Sequence, residues 1–339
     1  VDDRISARRI ERGWTQADLA ERAGVTRQLV SALEAGRHVP NVVAAMGIAS
    51  ALQVTVEDLF GDEPEPVDAL DVAAPAGSPV SVARVGGRLV TAAGAHGLLG
   101  AEAWGVADAV VADTLTWLPG RSPASLLIAG CDPAIGLLSG VLDRSGHRML
   151  GLHASTGRSV DALAAGRVHG VLVHGRASEL PEPPVPVRRW RVARWQVGLC
   201  APSGRRTAPS IDELASRRLK VVQRDAGAGS QRAFERALRA AGAPELPGPI
   251  GEGHLDVARR VSYGGADAGV LMEAAAAVFG LRFSALEEHG VELWLAEEWR
   301  DLPAVTALVE ALLGREFQAQ LGLLPGYDIT ECGTELRVS

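Results

Sequence analysis

The stretch that most restricts how this chain can fold runs from Trp14 to Gly36. Apolar residues recur at Leu19, Ala20, Ala23, Val25, Leu29, Val30 and Leu33, a spacing that lets two short amphipathic helices bury one shared seam. Thr15 and Thr26 stand where each helix needs an N-cap acceptor, and Gly24 between the helices offers the backbone freedom of a tight turn. The pattern is that of a helix-turn-helix. Its second helix opens with Arg27 and Gln28, whose fork and amide geometries suit guanine and adenine edges in a major groove.

The stretch resembles the helix-turn-helix of the Xre/Cro/phage-repressor family, and the likeness continues through Arg37-His38-Val39-Pro40-Asn41 to Val56-Glu57-Asp58-Leu59-Phe60. The resemblance implies a five-helix DNA-binding domain over residues 1–61, with helices near 2–12, 16–23, 26–35, 41–51 and 56–60. Arg27, Gln28 and Ser31, behind a capping Thr26, are the expected base readers, and Gln16, Arg37 and Asn41 the expected phosphate contacts. A helical hairpin packing only against protein is the competing reading, which the spacing and capping disfavour.

With 339 residues, the chain exceeds one usual domain, so two or more cores are expected. A formal net charge of −7 argues against a general nucleic-acid coat, because nonspecific affinity comes from a cationic surface that displaces counterions. DNA contact must be local, drawing on Arg4, Arg8, Arg9, Arg12, Arg22, Arg27 and Arg37. The acids interspersed among them imply weak binding by one copy and favour a homodimer on a two-part operator in double-stranded DNA. No secretory segment precedes the first helix and no long uncharged apolar run occurs, so no membrane contact and a cytoplasmic location are expected. Cys131, Cys200 and Cys332 are scattered, which fits a reducing compartment. Histidines spread singly along the chain predict no metal site, and no cofactor is expected.

The acidic, proline-rich Gly61-Asp62-Glu63-Pro64-Glu65-Pro66 begins an expected linker over 62–79. Residues 80–118 read as a small β segment whose first hairpin turns at Gly86-Gly87, with a further short strand between Gly105 and Thr114. From Ser125 the rhythm becomes strand, turn and helix, repeated: strands at 125–129, 149–153 and 168–174, and helices at 134–142 and 158–165. Such alternation predicts parallel α/β packing, in which ligands bind at loops leaving the carboxyl ends of strands. Residues 187–201 read as a pair of β segments opening a second lobe. Next come a helix capped by Ser210, a strand at 219–223, a loop at 224–232 and a helix from Ala233. Further on, strands are expected at 266–271, from 280 and at 291–296, and one long helix over 303–321.

The loop from Arg224 to Arg232 is rich in chemistry. Gly227 and Gly229 let backbone N–H groups converge, Ser230 adds a hydroxyl at a helix start, and Arg224 and Arg232 add charge, which together suit an anion. Ser155 and Thr156 offer a similar helix start in the other lobe, where capping alone is an equally good reading. Cys131 beside Asp132 reads better as a pocket-wall thiol next to a helix-capping acid than as a catalytic pair.

Residues 119–339 resemble the type II periplasmic-binding-protein fold used as a sensor, in the branch related to molybdate- and tungstate-binding proteins. The matching stretches are Gly130-Cys131-Asp132-Pro133-Ala134, the loop 223–232, Gly264-Gly265-Ala266-Asp267-Ala268-Gly269 and Gly326-Tyr327-Asp328. Cys131 stands where that family often has histidine, and Gly227-Ala228-Gly229-Ser230-Gln231-Arg232 replaces its usual Gly-Ser-Gly-Thr-Arg. The resemblance implies ligand contacts from Cys131, Asp132, Ser155, Thr156, Arg224, Gly229, Ser230, Gln231, Arg232 and Asp267. The expected architecture is an α-helical helix-turn-helix domain, a small β segment, and an α/β two-lobed domain. The expected function is a one-component transcriptional regulator that senses a small anionic ligand, a molybdate- or tungstate-type oxoanion. A small organic metabolite is the alternative effector. An enzyme with a DNA-binding head is disfavoured because no Ser-His-Asp, HExxH or two-carboxylate constellation is visible.

Overall fold

The computed structural model describes residues 3–61, 65–93, 107–112 and 114–336. Residues 62–64 of the expected linker and the Gly105–Val106 start of an expected strand lie outside them. Five helices come first: α1 (Asp3–Glu11), α2 (Gln16–Ala23), α3 (Arg27–Glu34), α4 (Val42–Leu52) and α5 (Val56–Phe60). Their core is the expected seam, with Leu19, Ala20, Val30 and Leu33 packed on Ile5, Ile48, Leu52 and Leu59. Thr15 accepts from the Asp18 amide while the Asp18 side chain accepts from the Thr15 amide, a reciprocal cap. Thr26 caps α3 by accepting from the Leu29 amide at 3.2 Å. The turn between α2 and α3 rests on Gly24, whose φ of +66° a residue with a Cβ adopts only under strain.

The β segment is a five-stranded sheet in the order β1-β3-β2-β4-β5, with β1 (Val67–Asp68), β2 (Pro79–Val85), β3 (Arg88–Ala93), β4 (Ala109–Val111) and β5 (Leu115–Trp117). The expected hairpin is there, with Val85 paired to Arg88 across Gly86-Gly87. Strand β1 corrects the linker reading, because Val67 and Asp68 pair in parallel with Val90 and Thr91. Two residues are too few to show alternation. Asp108, fully buried, accepts from the Val82 amide and pairs with Arg148, tying this sheet to the next domain.

The α/β domain is built on an eight-stranded sheet in the order β10-β11-β9-β12-β8-β6-β7, with β13 (Glu335–Leu336) paired to β9. Lobe 1 holds parallel β6 (Leu126–Gly130), β7 (Met149–His153) and β8 (Gly170–Gly175), with α6 (Ala134–Arg144) and α7 (Thr156–Ala164). Lobe 2 holds α8 (Ile211–Arg217), β10 (Val221–Val222), α9 (Gly229–Ala240), α10 (His254–Ser262), β11 (Ala268–Met272) and α11 (Glu273–Val278). Two strands run through both lobes. These are β9 (Val187–Ala201) and β12 (Arg282–Ala296), each 15 residues long and antiparallel to the other. The far end of β9 pairs with β11, while the far end of β12 pairs with β8.

Continuous β9 and β12 replace the two pairs of shorter segments expected from sequence. An extra residue interrupts the register in each strand, Leu286 in β12 and Val192 in β9, so the two-residue alternation breaks where the strand itself continues. The helix expected over 303–321 is two, α12 (Pro303–Leu313) and α13 (Arg315–Leu321), because Gly314 adopts an extended ψ of 142°. Helix α9 begins at Gly229, earlier than Ala233. Among the described residues no helix is long and apolar enough to cross a membrane.

Candidate functional site

The two helix-start loops singled out in the sequence meet face to face. The Gly157 amide donates to the Gly227 carbonyl at 3.1 Å, and Ser155 Oγ donates to Asp225 Oδ1 at 2.7 Å. These bonds join lobe 1 to lobe 2, so the cleft is closed. Closure brings main chain onto main chain: a Cβ at Gly229 would lie 2.8 Å from the His174 carbonyl oxygen. Thr156 exchanges hydrogen bonds with the main chain of His174. Both hydroxyls thus donate within the protein, and Ser155 makes no side-chain cap, which corrects the capping reading of this pair.

Behind these loops lies a buried polar cluster. Cys131 follows the end of β6, His174 lies near the end of β8, His254 opens α10, and Trp195 and His289 are cross-strand partners midway along β9 and β12. Cys131 Sγ is 3.1 Å from His174 Nε2 and 3.8 Å from His254 Nε2. His174 Nδ1 is 3.0 Å from His289 Nδ1, and His289 Nε2 is 2.7 Å from Glu287 Oε1. Asp132 accepts from the Ala134 amide, Trp195 Nε1 and Tyr327 Oη, each at 2.8 Å.

Burial sets the protonation states. It pushes the Cys131 thiol up to about 11 and holds His174 and His254 well below the usual imidazole value, with neighbouring charges, Arg224 among them, adding to the histidine shifts. The thiol is protonated and these imidazoles are neutral. Burial also raises Asp132, against the three bonds that favour its charged form. Burial opposes ionisation of Glu287, but bonds from His289 and Arg236 outweigh it and hold the carboxyl down to about 2.

Arg224 is 1% exposed. Its Nε and Nη1 have no acceptor, and Nη2 reaches only the Glu252 carbonyl at 3.5 Å. Ser230 Oγ, also fully buried, has no partner either. Unmet buried donors cost about 1–3 kcal/mol each, and more when charged. A cationic fork and a hydroxyl left open at a lobe interface are arranged to receive an acceptor.

The expected ligand residues thus separate. Cys131 and Arg224 share the cluster, Ser230 is buried at the start of α9, and Arg232 is near enough to act on the His174 imidazole. Asp132 is spent on Trp195, Tyr327 and its own helix. Gln231 braces the loop, accepting from the Arg224 amide and donating to Gln223. Gly229 provides close approach. Asp267 does not belong: it accepts from the Lys220 amide ahead of β11, at the end opposite Met272, whose amide donates to His254. His174, His254, His289, Trp195 and Glu287 were missed, and the expectation of scattered histidines is corrected, since Cys131, His174 and His254 place their ligating atoms within 4.8 Å of one another. The rule that sites form at carboxyl ends of strands pointed to His174 as well as Cys131.

At the helix-turn-helix, Thr26, Arg27 and Gln28 are exposed at the start of α3, with Ser31 half-buried one turn on. Arg4, Arg9 and Arg12 are bonded within the domain, and Arg22 stacks on Trp14 with its Cζ 4.4 Å from the ring centroid. Arg27 and Arg37 are exposed with no side-chain partner among the described residues. Gln16 donates to Glu34, which also pairs with Arg9, and Asn41 Oδ1 caps α4. Gln16 and Asn41, two of the three expected phosphate contacts, therefore also serve the domain's own structure.

Comparison with known proteins agrees with this division. Residues 141–313 match the family described as PBP superfamily domain, and residues 5–59 match the helix-turn-helix family. An uncharacterized HTH-type transcriptional regulator of Methanothermobacter thermautotrophicus is 51% identical over 57 residues, 16% of this chain and 83% of the relative. The regulator YgzD of Bacillus subtilis is 38% identical over 65 residues, 19% of this chain and 98% of the relative. A phosphate ABC transporter substrate-binding protein of Clostridium perfringens superposes with a TM-score of 0.50 at 10% identity, over 60% of this chain and 99% of that one. The matched span of the effector region and the length of the regulator likeness lead to one statement: this chain belongs to the PBP superfamily domain family and carries the helix-turn-helix of transcriptional regulators ahead of that domain.

Proposed function

We propose that this transcriptional regulator binds operator DNA as a homodimer through α3, and that a small anion held between the two lobes of its effector domain sets its DNA affinity. The observation that carries the reading is the buried guanidinium of Arg224, whose Nε and Nη1 have no acceptor, together with the buried, unpartnered Ser230 hydroxyl. Arg27, Gln28 and Ser31 read bases, Thr26 orients their helix, and Arg37, Asn41 and Gln16 hold phosphates. A tetrahedral oxoanion of the molybdate or tungstate type is the first ligand to test. A small organic acid is the second, favoured by the thiol and Trp195 in the same cluster, which add soft and apolar surface to the anion grip. A ligand preferring one lobe arrangement by about 1.4 kcal/mol changes that equilibrium tenfold.

The test selects an operator from random duplexes with the full chain, then measures its affinity by fluorescence anisotropy with and without molybdate, tungstate, phosphate or small carboxylates. Replacing Arg27 by Ala should remove sequence preference while retaining weak, salt-sensitive binding; unchanged selectivity would remove α3 from the interface. Operator affinity that none of these anions alters would end the effector assignment. Sedimentation of the full chain with operator tests the dimer.

A further inference from the structure

With His289 neutral, the hydrogen bonds of the buried cluster admit one proton assignment. The Met272 amide donates to His254 Nδ1 at 3.2 Å, so neutral His254 carries its proton on Nε2, the atom facing Cys131. The Glu287 carboxylate only accepts, so His289 carries its proton on Nε2 and leaves Nδ1 as an acceptor. His174 Nδ1, 3.0 Å from that nitrogen, must then donate. That leaves a lone pair on His174 Nε2, 3.1 Å from Cys131 Sγ, and the thiol donates to it. The result is a directed chain from Cys131 through His174 and His289 to Glu287.

The same assignment argues against a metal cage, although three ligating atoms lie close together. His254 Nε2 is protonated, and Arg224 sets a buried cation beside the thiol. What the cluster does offer is a base for a thiol. All four members of the chain belong to lobe 1 or to the two long strands, so it is complete without lobe 2. Arg224 and the His254 N–H come from lobe 2 and lie beside the thiol in this closed arrangement, and Ser230 lies in the same lobe at the start of α9.

We propose that Cys131 is a base-assisted nucleophile that bonds covalently to a ligand carrying both an anionic group and an electrophilic carbon, the class of small oxo acids. This rests on the organic-acid form of the reading above. The anionic group sits on Arg224 and Ser230, and His254 Nε2–H faces the carbonyl oxygen. The Sγ–C bond forms as the carbonyl π bond opens. The thiol proton passes to His174 Nε2 and then to the new alkoxide oxygen, giving a hemithioacetal with no oxidant and no net proton change. The chain to Glu287 stabilises the imidazolium while it exists. Because burial keeps the resting thiol protonated, reaction waits for a bound electrophile.

The experiment treats the full chain with iodoacetate or iodoacetamide, probes that differ in charge, and follows Cys131 and Cys332 by peptide mass mapping. Alkylation forms Sγ–C, expels iodide and sends the thiol proton to His174. Iodoacetate should modify Cys131 at least tenfold faster than iodoacetamide does, and Arg224→Met should erase that preference. His174→Gln should slow both reagents at Cys131 at least tenfold while leaving Cys332 unchanged, with circular dichroism verifying the fold. Glu287→Gln, at the far end of the chain, should shift the pH profile of Cys131 labelling. Molybdate or phosphate stabilisation in thermal shift, together with labelling indifferent to His174 and Glu287, overturns the covalent step and leaves anion binding standing. Absence of both anion stabilisation and iodoacetate preference overturns the two together.

Discussion

Replacing Arg224 by methionine separates a residue built for a ligand from one built for the fold. The native guanidinium is 1% exposed and leaves Nε and Nη1 without acceptors, while its remaining bond to Glu252 is long at 3.5 Å. Unmet buried donors cost about 1–3 kcal/mol each. Methionine fills similar volume without needing acceptors, so the ligand-free effector domain should gain about 1–3 kcal/mol, since swapping a poorly compensated buried charge for an apolar side chain often stabilises. Anion affinity should move the other way. Losing charge-assisted bonds of about 1.5–3 kcal/mol weakens binding by about 10- to 150-fold. Urea denaturation without anion and isothermal titration with molybdate, phosphate and small carboxylates measure the two signs. A variant that is less stable when empty, yet binds anions as tightly as the parent, would refute the reasoning, because Arg224 would then be bracing the loop.

Further outcomes follow from the same contacts. Gly229→Val sets side-chain atoms against the His174 carbonyl, already 2.8 Å from an ideal Cβ, so it should hold the lobes apart. X-ray scattering should show a larger radius of gyration and titration at least tenfold weaker anion binding; an unchanged radius would remove this close approach from closure. Burial lowers His169 to about 4 from an unfolded value near 6.5, so the unfolded chain binds more protons between those limits. Stability should therefore fall as pH drops from 6.5 towards 4, by roughly 3 kcal/mol from this residue, with His174 and His254 acting in the same direction. Melting temperatures flat across that range would contradict neutral, buried imidazoles.

The helix-turn-helix was legible from sequence because its determinants are local. Thr15, Gly24 and Thr26 act on residues two to four positions away, and the seam repeats within one helical period. The strand and helix order of lobe 1 was legible for the same reason, as was the loop 224–232. Strands β9 and β12 were read as fragments because one extra residue in each, Val192 and Leu286, interrupts alternation, and no short-range signal states that two 15-residue strands will pair along their whole length. Asp267, drawn in by a motif, turned out to hold the Lys220 amide at the wrong end of its strand.

Sequence alone determined that this chain carries a helix-turn-helix and an α/β domain with two polar helix starts. Only the tertiary structure decided that Cys131, His174, His254 and His289, spread over more than 150 positions, would share one buried cluster, and that Arg224 would be left without a full set of partners. The physical reason is range. Caps and periodicity act over a few residues, whereas the surroundings of a buried thiol or guanidinium depend on which distant strands the sheet places side by side.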